Sequence, residues 1–285
     1  MASLSLDPPP CDGVEVSFPE AGIMLVTLSR LKQMNSITHT MNWQIENLFD
    51  WYDDQPSLRV AIITGSGLKA FCAGSDLKEI EQAQQAKQGF QDPKKSEIWL
   101  HEHPKGGFAG VSRRKGKKPM LAAVNGLALG GGFEIVLNSD VAIASPNAQF
   151  SLPEAQVGVY AYGGGLPRLV RNLGMQAASE IALTGRRFSA QEALDLRLVQ
   201  GIAKSPESVL EETMVKARQI AAISPDGIIV TRAALREAWE TGSVERAFQI
   251  THENYYDKLM KSLNSVEGLS AFREKRKPNW RTAKL

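Results

Sequence analysis

Three short, unbroken apolar runs, at 60–64, 120–124 and 141–144, constrain this chain more than any other feature. None shows the apolar-polar alternation of a strand with one wet face, and each is shorter than a self-supporting helix, so each reads as a strand buried on both faces. Helical stretches lie between them, and the order strand, helix, strand, helix is that of an α/β fold with a largely parallel sheet. A chain of 285 residues that is 43% hydrophobic carries enough apolar side chain to fill one full-sized core.

Around these runs the rest of the chain falls into place. Segments 14–18 and 23–28 are strand-like and flank Pro19-Glu20-Ala21-Gly22, which predicts an opening hairpin. Segment 38–54 sets Met41, Ile45, Leu48, Phe49 and Tyr52 at helical spacing. From residue 205 onward the signals are helical, punctuated by Pro225 and Pro278, which divides the chain into an α/β core at 1–204 and a C-terminal helical subdomain at 205–285. Segment 82–118 differs: it is rich in Gln, Lys, Gly and His, with scattered apolar anchors at Phe90, Ile98, Trp99 and Phe108. It reads as a polar, partly helical excursion or mobile loop of the kind that covers sites.

Charge names no partner, since 33 basic and 31 acidic residues leave a formal net charge of +2. Cys11 and Cys72 are too few for a disulfide framework or a cysteine-based zinc site, which fits a reducing compartment. The N-terminus has neither a basic start nor a long apolar run before Pro8-Pro9-Pro10, so no secretory signal is expected. No apolar stretch approaches the roughly 20 residues that span a bilayer. The chain ends in Ala283-Lys284-Leu285, a variant of the Ser-Lys-Leu address read by the peroxisomal import receptor. A peroxisomal location is the expectation, with the cytoplasm as the alternative if that ending is chance.

Two strand-to-helix junctions carry candidate chemistry. In the first, Gly130-Gly131-Gly132 precedes Phe133, Glu134 and an apolar helical run. Glycines there let the backbone turn sharply and present N–H groups at a helix N-terminus, where the dipole favours negative charge; close packing alone is the competing explanation. In the second, Gly74-Ser75-Asp76 precedes Leu77 and Lys78, with Asp76 placed to cap the helix. Glu134 in a first helical turn, and Glu154 directly after Pro153, each match a carboxylate that merely complements a helix dipole. Together, two carboxylates beside two N–H donors are what adding or removing water next to a thioester carbonyl needs: one activates water, one handles the α proton, and the N–H pair holds the enolate oxygen.

The ordered set of motifs resembles the enoyl-CoA hydratase/isomerase, or crotonase, family over nearly the whole chain. It runs from Met34-Asn35-Ser36 through Phe71-Cys72-Ala73-Gly74-Ser75-Asp76, Val124-Asn125-Gly126 and Gly130-Gly131-Gly132-Phe133-Glu134 to Ser151-Leu152-Pro153-Glu154, then Ala182-Leu183-Thr184-Gly185 and Ala190-Gln191-Glu192-Ala193. The resemblance implies a spiral of ββα units, an acyl-CoA thioester substrate, no cofactor beyond the coenzyme A of the substrate, and a homo-oligomer, trimer or hexamer, in which the helical tail takes part. It puts the oxyanion N–H groups on Ser75 and Gly131, an acyl-CoA channel along Ser75, Asp76, Leu77 and Lys78, and the nucleotide end near Met34, Asn35 and Ser36. It also implies that Glu134 activates the water while Glu154 delivers the α proton. Glutamates at both positions favour a hydratase, a hydro-lyase, over an isomerase or another acyl-CoA lyase of the family. The chain departs from typical hydratases at 158–168, where Tyr160 and Tyr162 precede Gly163-Gly164-Gly165 and would reshape the acyl pocket.

Other readings are weaker. Gly65-Ser66-Gly67 follows a strand as a dinucleotide fingerprint does, but the required helix does not begin there. His101 and His103 lack the helical spacing or cysteine neighbours of a metal site and read as solvated. The run Arg113-Arg114-Lys115-Gly116-Lys117-Lys118 reads first as a solvated loop, ahead of a phosphate clamp or an RNA-contacting patch on a non-enzymatic crotonase scaffold. Neither membrane nor nucleic acid is an expected partner.

Overall fold

The structure is a computed structural model, described for residues 7–81 and 103–285. The chain opens with the antiparallel hairpin β1 (Val14–Glu20) and β2 (Ile23–Leu28), followed by helix α1 (His39–Asp54). Thr38 starts α1 by accepting from the Met41 amide. Its buried face is Met41, Ile45, Leu48, Phe49 and Tyr52, the stripe expected from the sequence.

Three repeats of one pattern follow. Strand β3 (Val60–Gly65) leads into β4 (Ala70–Cys72) and then a helix starting at Leu77. Strand β5 (Met120–Val124) leads into β6 (Leu127–Leu129) and helix α2 (Gly131–Asn138). Strand β7 (Val141–Ala144) leads into β8 (Gln149–Ser151), the 3-10 turn Glu154–Val157 and helix α3 (Gly165–Leu173). Helix α4 (Met175–Thr184), strand β9 (Phe188–Ser189), helix α5 (Ala190–Asp195) and strand β10 (Gly201–Ile202) complete the core. The first strand of each repeat joins a six-stranded sheet, order β1-β2-β3-β5-β7-β10, and the second joins a smaller sheet, order β4-β6-β8-β9. Within the repeats all pairings are parallel. This is a spiral of ββα units, and it stacks the strand-to-helix junctions of successive turns side by side.

The apolar runs are buried on both faces, as their lack of alternation predicts. In β3, Ala61 and Ile63 join the main core between the two sheets, while Val60 and Ile62 face a second cluster under helix α6 (Val209–Ala221). Beyond α6 the chain continues as α7 (Pro225–Glu240), α8 (Val244–Met260) and α9 (Leu263–Arg273). Arg232 and Arg236 of α7 both pair with Asp140, at 2.9 Å each, which ties the tail to the core. Among the described residues no helix is long and apolar enough to cross a membrane.

The expected polar excursion is corrected over its second half. Residues 108–112 are buried, and they form a belt laid across α1. The Gly106 amide donates to Glu46 and the Ala109 amide to Asn42, both at 2.6 Å. The basic run is a solvated loop only in part: Arg113, Lys115, Gly116 and Lys117 are exposed, whereas Arg114 and Lys118 are buried. Arg114 pairs with Asp53 at 2.6 Å beneath the Phe49 and Tyr52 rings, and the Lys118 ammonium donates to the Tyr52 carbonyl at 2.9 Å. Polar composition misleads here because each buried charge meets the polar end of α1 rather than water. Phe90, Ile98, Trp99 and His101 lie outside the described residues.

Candidate active site

Two backbone junctions meet first. Strand β6 ends at Gly130, whose φ of 55° and ψ of −125° suit glycine, and α2 begins at once with Gly131. Strand β4 ends before Gly74, φ 90°. A β-carbon on Gly74 would lie 3.0 Å from the Leu129 carbonyl oxygen and 3.6 Å from the Gly131 nitrogen, so the two junctions touch. Among the described residues neither the Ser75 amide nor the Gly131 amide has a backbone acceptor. The glycines also serve packing, since the Phe108 ring lies where a Gly131 side chain would begin, 2.5 Å away. Both explanations of the glycine run therefore hold at once.

Two carboxylates stand over this junction. Glu134, in the first turn of α2, is 2% exposed, and its Oε1 accepts from the Gly165 amide at 2.8 Å. Burial, with a further push from the charge of Glu154, raises its carboxyl to about 7, against the opposing pull of the Gly165 hydrogen bond. Glu154 opens the 3-10 turn after β8. A β-carbon on Gly130 would come within 2.8 Å of Glu154 Oε1, which puts this carboxylate one residue from the Gly131 amide. Burial raises its pKa as well, and Oε2 is buried without a hydrogen-bond partner among the described residues. A buried acid and a half-buried one, both with raised pKa values and beside two N–H donors, can exchange protons near neutral pH next to a developing oxyanion.

A cavity of about 280 Å3 reaches this junction at Ser75 and is lined also by Ile37, Asp76, Glu79, Ile80 and Tyr162 among others, though by neither carboxylate. One wall is braced by Arg30, which donates to the Ser36 carbonyl and to Asp76 Oδ2, both at 2.7 Å. Burial acts to raise the Asp76 pKa, but the Arg30 hydrogen bond and charge, with the Lys78 and Glu79 amides, prevail and lower it. A larger cleft, about 670 Å3, lies between Glu46, Arg113, Arg171 and Trp239; neither carboxylate of the pair lines it.

A family profile described as Enoyl-CoA hydratase/isomerase matches residues 19–283. The chain belongs to the enoyl-CoA hydratase/isomerase family. It is a hydratase-like enzyme of the hydro-lyase type. It is 43% identical over 283 residues to mevalonyl-coenzyme A hydratase of Beauveria bassiana, covering 98% of each chain. It is 45% identical over 277 residues to mevalonyl-coenzyme A hydratase of Aspergillus fumigatus, covering 97% of this chain and 98% of that one. The crystal structure of enoyl-CoA hydratase from Mycobacterium tuberculosis superposes with a TM-score of 0.82 at 30% identity, over 95% of this chain and 99% of that one.

Within this family fold, the residues singled out in the sequence divide into three groups. Glu134, Glu154, Ser75 and Gly131 come together at one junction. Asp76 lines the cavity, and Leu77 and Lys78 follow it as exposed residues, Leu77 at 71% exposure. Met34, Asn35 and Ser36 brace the loop between β2 and α1. Asn35 is 1% exposed, and its amide donates to the Ser66 and Ala70 carbonyls at 3.1 and 2.8 Å.

Sequence reasoning missed His103 and Phe108 as residues of this region, whereas Tyr162, expected to reshape the acyl pocket, lines the cavity. His103 is not a solvated histidine: its ring lies 4.6 Å from Tyr162 and 5.9 Å from Phe108 by centroid, and burial, aided by His39 and Arg113, lowers its pKa to about 4. The Tyr162 pKa is raised by burial and then by the charges of Glu134 and Glu154, so this side chain lies within electrostatic reach of both carboxylates. The tyrosine pair before Gly163-Gly164-Gly165 pointed to this region in the sequence, and that glycine run presents the Gly165 amide to Glu134.

Proposed function

We propose that this enzyme adds water to, or removes it from, the α,β-carbons of a short, branched acyl-CoA thioester, with mevalonyl-CoA as the substrate to test first. The thioester carbonyl oxygen sits between the Ser75 and Gly131 amides, which stabilise it as charge builds in the enolate. Glu134, held by the Gly165 amide, activates the water. Glu154, against Gly130, exchanges the α proton; in dehydration the same two groups act in reverse. The observation that carries this reading is the convergence of one buried and one half-buried carboxylate on one pair of N–H donors. The two mevalonyl-coenzyme A hydratases, similar over nearly their whole length, support the choice of acyl group.

An RNA-binding role has less support, because Arg114 and Lys118 are buried and the basic run offers no continuous charged face. The exposed apolar side chains Val244, Phe248 and Phe272 of α8 and α9 support assembly of the tail into a trimer or hexamer; light scattering tests this, and a monomer at micromolar concentration contradicts it. The C-terminal tripeptide supports peroxisomal import, tested by comparing the full chain with one lacking residues 283–285.

The function test follows the absorbance of the conjugated enoyl thioester as purified protein is mixed with mevalonyl-CoA or with a short straight-chain trans-2-enoyl-CoA. Turnover of the branched substrate at the higher kcat/KM is expected. Absence of turnover on every acyl-CoA thioester offered overturns the reading.

A further inference from the structure

The Gly165 amide that aims Glu134 belongs to a peptide group held from both sides. Its N–H donates to Glu134 Oε1 at 2.8 Å, while the carbonyl of the same group, on Gly164, accepts from Arg168 Nη1 at 3.0 Å. A trans peptide is planar, with its C=O and N–H pointing opposite ways, so fixing one fixes the direction of the other. The guanidinium therefore sits at one end of this peptide group and the carboxylate at the other. Gly164 itself restrains the turn little, since its φ of 100° is a conformation that glycine enters freely.

Arg168 is anchored in turn. Its Nε donates to Asn138 Oδ1 at 2.9 Å, and Arg236 of α7 donates to the same oxygen at 2.6 Å. Asn138 is 2% exposed, closes α2, and donates to the Val111 and Arg114 carbonyls of the belt at 2.6 and 3.1 Å. Glu134 and Asn138 lie one turn apart on α2, and Gly165 and Arg168 one turn apart on α3, so the two helices are joined at two successive rungs. Ser112 completes the frame, its hydroxyl donating to the Gly163 carbonyl at 2.6 Å. Arg168 lines the larger cleft and not the cavity that reaches Ser75, so a role in the reaction runs through Glu134 rather than through contact with an acyl chain there.

Building on the proposed hydratase reaction, we propose that Arg168 is a positioning residue, which holds the Gly164–Gly165 peptide group so that its N–H stays aimed at the carboxylate that activates water. The charges around that carboxylate support the assignment. Burial and the charge of Glu154 push the Glu134 carboxyl up, while the Gly165 and Gly163 amides and the Arg168 charge pull it down; Tyr162 lies within reach of the same charge. Arg168 is itself faced by Arg236, Glu240 and Arg113, and a guanidinium stays protonated in such company. Without Arg168 the peptide group is free to turn and the carboxyl holds its proton more tightly. Both changes favour the protonated acid, which cannot take a proton from water.

The experiment compares wild type with Arg168→Gln, Arg168→Met and Arg168→Lys, and with Arg171→Gln, which removes an exposed positive charge from the same helix. The pH profiles of kcat and KM are read on the acyl-CoA thioester that wild type turns over fastest. The titration of the Glu134 carboxyl is read from its infrared carbonyl band, assigned by the loss of that band in Glu134→Gln. The neutral variants are expected to lower kcat by ~10²-fold, the cost of misplacing a reacting group by about an ångström, with KM within a few-fold of wild type. Because water activation needs the ionised carboxylate, the acidic limb of kcat and the Glu134 titration should both move to higher pH. Arg168→Lys, which keeps the charge and one donor, should recover part of the rate and leave the titration close to wild type; Arg171→Gln should change neither. A loss of kcat that is the same at every pH, with Glu134 titrating as in wild type, makes Arg168 structural only and overturns the proposal, as does a lysine variant no better than glutamine. If wild type turns over no thioester, the hydratase reading fails and the infrared titration still decides: an upward move confined to the neutral Arg168 variants supports the positioning role, and no move overturns it. Near-ultraviolet circular dichroism identifies a neutral variant that does not fold, and the other neutral variant then carries the comparison.

Discussion

The Gly165 amide donates to Oε1 of Glu134 across 2.8 Å, joining the start of α3 to the first turn of α2. This bond aims a carboxylate that burial alone would leave both costly and free to rotate. It also keeps the carboxyl near neutrality, since the hydrogen bond favours the ionised form while burial opposes it.

If Glu134 and Glu154 work on one reaction centre, Glu134→Gln and Glu154→Gln should each lower kcat by ~10² to 10⁴-fold with little change in acyl-CoA binding. The double variant should be far less impaired than the product of the two single losses. Steady-state kinetics on the best substrate of the wild type gives the answer, and near-normal turnover in both single variants would show the pair to be structural.

Stability should depend on pH through the same residue. Glu134 titrates at about 7 in the folded protein against an ordinary 4.5, so between these values the folded state binds more protons than the unfolded chain. Its contribution is fully present below pH 4.5 and is lost as pH rises through about 7. Glu134→Gln cannot ionise, so it should exceed wild type at pH 8 by on the order of 3 kcal/mol, with the advantage gone below pH 4.5. Urea unfolding at pH 8 and at pH 4.5 measures the difference; an advantage that grows toward acid pH contradicts the burial argument.

Gly130→Ala should act on activity through Glu154. The substitution forces alanine to a φ of 55° and sets its methyl 2.8 Å from Oε1. Gly174→Ala is the control, with a φ of 78° and nothing within 4 Å of the new methyl. Both should lose ~1–3 kcal/mol of stability to backbone strain. Only Gly130→Ala should also lose kcat, by ~10²-fold, the effect of displacing a catalytic group by about an ångström.

The belt over α1 makes a separate prediction. Arg114 and Asp53 are only 6% and 11% exposed as side chains, and Asp53 also accepts from the Lys118 amide at 2.9 Å. Asp53→Ala strands a buried guanidinium and should destabilise the protein by ~3–5 kcal/mol, whereas removing both partners, with Arg114→Met added, should recover much of that loss. Denaturant melts of the three variants test this, and an additive double variant would show that the two side chains do not depend on each other.

Several of these features were legible in the residues themselves. The runs at 60–64, 120–124 and 141–144 are strands because unbroken apolar sequence is stable only when covered on both faces, and the spiral supplies that cover. Helix α1, the opening hairpin and the helical tail follow from periodicity and turn residues. Glu134 and Glu154 stood out because each follows a glycine or proline junction in an ordered set of motifs.

What the sequence determined by itself was therefore local: which segments form strands and helices, and which junctions expose backbone N–H groups. Contacts between distant segments were decided only by the tertiary structure. His103 reads as solvated because its neighbours in the chain are polar, yet folding sets it against Tyr162, 59 positions away, and pushes its pKa down. Arg114 and Lys118 read as part of an exposed basic run until α1 presents Asp53 and the Tyr52 carbonyl to them. Burial and pairing set the charge state of an ionisable group, and both depend on residues that its own stretch of sequence does not contain.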